Sequence, residues 1–440
     1  MAAEPFYGWK LLAAFWVIVV LNLAFPAYGS SVLNAAMATD LGLNRQSLGT
    51  IVAVYLAMSG LPGPFVAMSV NRIGVRLTLA IGSLFTIAGA VMLATIVNNA
   101  VLATIAFGLL VGSGVATGAI IAAQAGVAQW FVRRRALALS ILYSGGAIGG
   151  FVAPPILSLI ASSGPGRWRL GWWLIAALSL LAALLALLTV RERPADLRQR
   201  PDGGREKSSS DQASDQASDQ AGGRTREIAA FVTREEWTYR EALHGPLFWT
   251  MMAPFVGVSA GFAMFLAHGI VHLKDLGHTM QVGAWAFGTM TISGLIGKVV
   301  LALFGDRIDP RYFWALFCAT FGVGMIVLVD AVSPLAVRLS AICLGIGFGG
   351  GIVAMMATLS NYYGTRVFAS LAGLAIAINT GISSLAPIIA GRMYDTGIGY
   401  AAAFYVTAIW CIAGALMLAL LHRPRRGQAA TVAVASGGPR

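Results

Sequence analysis

The chain has 440 residues, is 58% hydrophobic and only 11% charged, and carries a formal net charge of +12. Soluble globular domains average about 25% charged residues, so this composition excludes an ordinary cytosolic enzyme, a disordered scaffold and a soluble nucleic-acid binder. The three cysteines, Cys318, Cys343 and Cys411, all lie in apolar runs. They read as small core side chains, not as a disulfide framework.

A bilayer core of roughly 30 Å takes about 20 apolar residues per helix. Twelve segments qualify, near 10–37, 47–70, 77–97, 101–128, 136–161, 170–190, 247–272, 282–304, 312–330, 335–358, 368–391 and 401–421. Their apolar runs are continuous rather than alternating, which predicts helices and not barrel strands. The first run is too long for a signal peptide and lacks a small-residue cleavage site, so it reads as a span. The expected architecture is an all-α membrane protein of two six-helix bundles, 1–190 and 246–422, with a tail at 423–440.

Between the bundles, 191–245 holds ten Lys/Arg, eleven Asp/Glu and three copies of Ser-Asp-Gln-Ala at 210–221. Such a stretch buries too little surface to order itself and is expected to be largely a flexible linker. Its later part, Ala229 to Leu243, has the pattern of a short amphipathic helix at a membrane surface.

Lys and Arg in short loops favour the cytoplasm. With the N-terminus inside, cytoplasmic span ends hold Lys10, Arg72, Arg76, Arg133, Arg134, Arg135, Arg307, Arg311, Arg366, Arg423, Arg425 and Arg426. Opposite ends hold Arg45, Arg167, Arg169, Lys274, Arg338 and Arg392. Both termini are therefore expected in the cytoplasm, and the basic charge is a topology signal rather than a nucleic-acid surface.

The halves repeat. Asn71-Arg72-Ile73-Gly74-Val75-Arg76 follows the second span and Asp306-Arg307-Ile308-Asp309-Pro310-Arg311 the eighth. Spans five and eleven align at an offset of 232, pairing Arg134 with Arg366, Leu139 with Leu371, Gly149 with Gly381 and Pro155 with Pro387. A repeat of this kind places a binding site near the membrane midplane between two rocking bundles. Arg72, Arg76, Arg307 and Arg311 can cap helix C-termini and pair with loop carboxylates such as Asp306, as a gate latch or as simple inside anchors. The first copy has Asn71 where the second has Asp306, one charge fewer.

Twelve helices, a long central loop and a basic turn after spans two and eight resemble the major facilitator superfamily. Phe6-Tyr7-Gly8-Trp9-Lys10 before span one, Gly63-Pro64 in span two and Trp130-Phe131-Val132-Arg133-Arg134-Arg135-Ala136 opening span five resemble its monocarboxylate and oxalate/formate porter branch. That resemblance implies a small organic anion as substrate, moved with a proton or in exchange.

Within the spans and away from their ends one permanent charge occurs, Lys298 in span eight. An unpaired ammonium at membrane depth costs at least about 2.5–3.5 kcal/mol, so it must face a partner or a watery cavity. No carboxylate lies at similar depth, which points to an anionic ligand; snorkelling to the inner surface is the alternative. Only four of the 30 cationic residues are Lys, and Lys offers a flexible point charge where Arg offers a rigid fork. In the resembled branch a Gly-Arg pair ahead of Asp-Arg binds the carboxylate. Here Gly297-Lys298 precedes Asp306-Arg307, which implies the same role with a weaker grip on dicarboxylates.

Other candidates follow from depth and face: Tyr28 and Ser31 in span one, with Asn34 a turn beyond; Thr117 and Gln124 in span four; Tyr143 in span five; Asn379 and Ser383 in span eleven. For each, a hydrogen bond between helices is an equal alternative. His268 and His272 stand at i, i+4 near the end of span seven, as neutral donors at a substrate mouth or as interfacial histidines; a zinc pair would need a third ligand, and the sequence offers none. Glycines crowd spans four and ten, for close packing rather than phosphate binding. No catalytic constellation, metal or cofactor is called for. The sequence thus predicts a monomeric secondary transporter of a monocarboxylate in a bacterial-type inner membrane. An efflux pump for lipophilic molecules is the alternative.

Overall fold

The computed structural model describes residues 6–132, 134–203, 233, 237–305 and 307–421, and these form helices and turns with no strand among them. The Ser-Asp-Gln-Ala repeats, Arg133, Asp306, residues 229–232 and 234–236 of the amphipathic segment and the tail lie outside the described residues.

Eleven helices among the described residues are long and apolar enough to cross a membrane, and an interruption in one of them makes twelve crossings. In the first half, α1 is Gly8–Asp40, α4 Ala100–Trp130, α5 Arg135–Ala161 and α6 Trp168–Thr189. The second crossing, α2, begins as Arg45–Gly60, resumes at Gly63 and stops at Gly74, whose φ of 87° and ψ of 170° interrupt the helix Gly63–Thr95. The third crossing, α3, runs from Val75 to the end of that helix at Thr95. In the second half α7 is Pro246–Asp275, α8 Met280–Phe304, α9 Pro310–Val329, α10 Pro334–Tyr363 and α12 Tyr400–Leu420. The eleventh, α11, is two helices, Thr365–Ser383 and Ala386–Asp395. Pro246, Pro310 and Pro334 each sit in a first turn, where no amide hydrogen is needed.

The chain divides into two compact units, Met1–Met37 with Met58–Ile228, and Ala38–Ala57 with Ala229–Arg440. Sequence order put all of α2 in the first bundle, yet its first part packs with the second unit. The reason is local. Gly49 lies against the Pro387 carbonyl and Gly391 against Arg45, backbone on backbone with no room for a side chain. Asp395 accepts the Arg45 and Gln46 N–H groups at 3.1 and 2.8 Å. Arg45 also pairs with Asp275 at 2.9 Å and lies over the Tyr394 ring.

Within the first unit, α1, α3, α4, α5 and α6 enclose a core at the end that carries the first basic turn, built on Leu11, Phe15, Leu79, Val127, Trp130 and Leu142. Within the second, α10 packs against α8 and α9, and α9 against α12. Lipid tails are as apolar as leucine, so close backbone approach rather than burial holds such helices together.

The linker is more structured at both ends than its composition suggests. Residues 194–203 make two short 3-10 turns. Trp237 is buried against Tyr363, and Thr238 opens the helix Tyr239–His244 with a reciprocal cap to Glu241. That short helix is the described part of the expected amphipathic segment.

Candidate functional site

Lys298 lies six residues from the end of α8, beside a seam where α8 and α10 meet through glycine. A Cβ on Gly297 would stand 2.6 Å from the Ile346 carbonyl oxygen and 2.8 Å from Gly350 Cα. Gly349 likewise abuts Gly294. The residue after Gly297 leaves this seam as a half-buried ammonium. Among the described residues no hydrogen bond or ion pair reaches it. At the same turn of α10, Phe348 stacks on Phe262 of α7, with ring centroids 4.0 Å apart and planes within 8°. Both phenyl groups are half-buried.

The second unit also holds Asn379 and Ser383, both buried in the first helix of α11. The Asn379 Oδ1 is buried with no hydrogen-bond partner. Such an acceptor is costly unless something donates to it.

His268 differs from the expectation of a substrate mouth. It is fully buried; its Nε2 bonds the Pro387 carbonyl at 2.9 Å and its Nδ1 the Tyr400 hydroxyl at 3.0 Å. A carbonyl only accepts, so Nε2 carries the hydrogen and Nδ1 accepts from Tyr400. Both nitrogens are occupied, and His268 ties α7 to α11 and α12. His272 and His278 bond the carbonyls of Leu328 and Ala331 at 2.9 and 2.6 Å.

In the first unit, Gln124 Nε2 donates to the Tyr143 hydroxyl, joining two residues selected separately in the sequence. Tyr143 is 42% exposed. Ser31 turns inward and donates to the Tyr28 carbonyl at 2.7 Å, while Tyr28 stays half-buried. Tyr28 lies in a π-helical stretch of α1, Val20–Gly29. Thr117 donates to its own helix at Ser113. Asn34 leaves a buried Oδ1 unpartnered.

At the basic turns carboxylates cap helix N-termini. Asp309 caps α9, accepting from Arg311 N at 3.0 Å and from the Tyr362 hydroxyl at 3.0 Å. Arg311 Nε lies 3.4 Å from the same carboxylate. Arg72 and Arg307 are exposed. Arg76 is held by its backbone: Glu192 accepts from Val75 N and Arg76 N at 2.9 Å each. Glu192 escaped notice in the sequence because it sits in a charged run that reads as linker.

The residues that carried the family resemblance also meet. Phe6 and Tyr7 pack on Trp130, and Phe6 and Trp9 on Phe131. The chain matches the Major Facilitator Superfamily over residues 11–383, with a second match over 273–438.

It belongs to that superfamily.

This superfamily member is 24% identical to monocarboxylate transporter 13 of Bos taurus over 94% of its own length and 89% of the relative's. It is 22% identical to the gentisate transporter of Corynebacterium glutamicum over 94% and 88%. Among solved structures, a mutant of the nucleoside transporter NupG superposes with a TM-score of 0.69 at 14% identity, covering 93% of this chain and 99% of that one. The D-xylose–proton symporter gives 0.66 at 16%, covering 96% and 99%. These likenesses show the major facilitator fold, and the chain is a multi-pass membrane transporter.

Proposed function

We propose that this transporter carries a small monocarboxylate by alternating access, in symport with a proton or in exchange, across the cell's inner membrane with both termini cytoplasmic. The observation that carries the reading is Lys298, an unpartnered ammonium on an apolar helix. A charge is tolerated at that depth when a watery cavity or an anion neutralises it. One cation suits one carboxylate. The stacked Phe262–Phe348 pair offers an apolar wall for the body of the acid, and Asn379 Oδ1 offers an acceptor for a hydroxyl of the substrate. The similarity to transporters named for monocarboxylates and for gentisate supports the same class, and the excess of Arg in the loops after α2 and α8 supports the orientation.

The test is thermal unfolding of wild type and Lys298→Ala with lactate, benzoate, gentisate, oxalate and tetraphenylphosphonium. Ligand at 100 times its Kd stabilises the folded state by about 2.7 kcal/mol. A monocarboxylate should raise the wild-type midpoint and leave the variant unmoved. Stabilisation by the lipophilic cation in both proteins would overturn the proposal and favour efflux of lipophilic molecules.

A further inference from the structure

The two basic turns are copies, and the first is short of acid. Gly74 stands where the second copy has Asp309. In the second copy Asp309 is itself the N-cap of α9, with one carboxylate oxygen on the Arg311 amide. In the first, Gly74 adopts φ 87° and ψ 170°, a conformation that only glycine takes without strain. A Cβ at this position would lie 2.5 Å from Glu192 Oε1. The Glu192 carboxylate therefore fills the volume that a side chain at 74 would need. It accepts the Val75 amide through Oε2 and the Arg76 amide through Oε1.

We propose that Glu192 is the relocated carboxylate of the first basic turn, a positioning residue that fixes the start of α3 from the exit of α6. A carboxylate at a helix N-terminus satisfies unpaired amide hydrogens and complements the helix dipole. The second unit keeps this group inside the turn, so turn and cap move together. The first unit draws it from a segment that is fastened elsewhere. The Tyr7 hydroxyl donates to the Thr189 carbonyl at 2.8 Å and Trp130 Nε1 to the Arg191 carbonyl at 3.1 Å. Further along, Asp202 accepts the Val132 and Arg134 amides at 2.9 and 3.4 Å, just ahead of α5. Residues 190–203 thus form a strap that caps α3 at one end and bonds the chain leading into α5 at the other. Movement of the first basic turn must carry this strap or break two charge-assisted hydrogen bonds.

Amide hydrogen exchange over residues 69–80 of the full-length protein in lipid nanodiscs tests the assignment, with E192A, E192Q, G74D and G74D/E192A beside wild type. E192A should speed exchange at Val75 and Arg76 at least tenfold, and E192Q should do so at one of the two amides. Supplying the acid at position 74 in G74D/E192A, with the backbone relaxed toward the φ −53° and ψ 120° of Asp309, should restore protection to within about threefold of wild type. G74D alone, with two carboxylates in one volume, should be less protected than the double variant. Unchanged exchange in both Glu192 variants would overturn the proposal. If E192A does not fold, G74D/E192Q against E192Q makes the same comparison, because glutamine keeps the shape and loses one acceptor.

Discussion

A half-buried ammonium sets opposite demands on binding and on stability, and that opposition is measurable at Lys298. Replacing an unpaired charge by an apolar side chain of similar length removes a desolvation cost. Lys298→Met should therefore raise the unfolding midpoint of the ligand-free protein while abolishing stabilisation by monocarboxylates. Lys298→Arg keeps the charge and should keep the response. A ligand-free Lys298→Met protein less stable than wild type would show that the ammonium serves the fold. His268 behaves differently. His268→Ala orphans the Tyr400 hydroxyl and the Pro387 carbonyl in a buried site and should destabilise by about 1–3 kcal/mol, read as a lower denaturation midpoint in detergent. Asn379→Leu, which removes an unpartnered acceptor, should be nearly neutral for stability and damaging only to binding.

Among the helices, glycine decides which backbones meet. The α8–α10 seam leaves no room at Gly297, whereas a Cβ on Gly381 in α11 would meet nothing within 4 Å. Alanine is favoured over glycine in a helix interior by about 0.8–1.0 kcal/mol, so the two sites should part in sign. Gly381→Ala should be neutral or stabilising, and Gly297→Ala destabilising by about 1–3 kcal/mol through overlap with α10; paired thermal melts decide this. The start of α2 makes a similar contrast with its partner charges. Asp395→Asn weakens the acceptor for Arg45 N and Gln46 N and should speed exchange of those two amides. Loss of the Arg45–Asp275 pair, which is partly exposed, should change stability by less than about 1 kcal/mol. The repeat seen in sequence also diverges at this scale. The α5 helix runs unbroken through Pro154 and Pro155, while α11 is interrupted ahead of Pro387. Aligned prolines did not foretell that difference, because the His268 and Gly49 contacts that engage the Pro387 carbonyl come from distant segments.

Over the whole molecule, large apolar side chains face outward as readily as inward. Phe65, Leu188 and Leu420 are each at least 69% exposed, a surface suited to lipid and not to water. Tryptophans report on it. Trp173 is 44% exposed and its neighbour Trp172 fully buried. Brominated acyl chains should quench Trp173, so Trp173→Phe should reduce the quenchable fraction of fluorescence and Trp172→Phe should not.

Most of this architecture was written in local sequence: continuous apolar runs of spanning length, a repeat of the six-span half, the basic turns and one charge at membrane depth. Each follows from chain-local physics, since a helix in lipid must satisfy its own backbone and an isolated ammonium is expensive wherever it sits. Tertiary structure decided which polar groups are already satisfied. His268 and His272, open in the sequence between a substrate mouth and the interface, are hydrogen-bonded within the fold, Tyr143 found Gln124, and a glutamate from the linker replaced the acid missing at Gly74. Partners of this kind lie 19 to 132 residues apart, and a hydrogen bond depends on distance and angle in space, which no periodicity along the chain encodes.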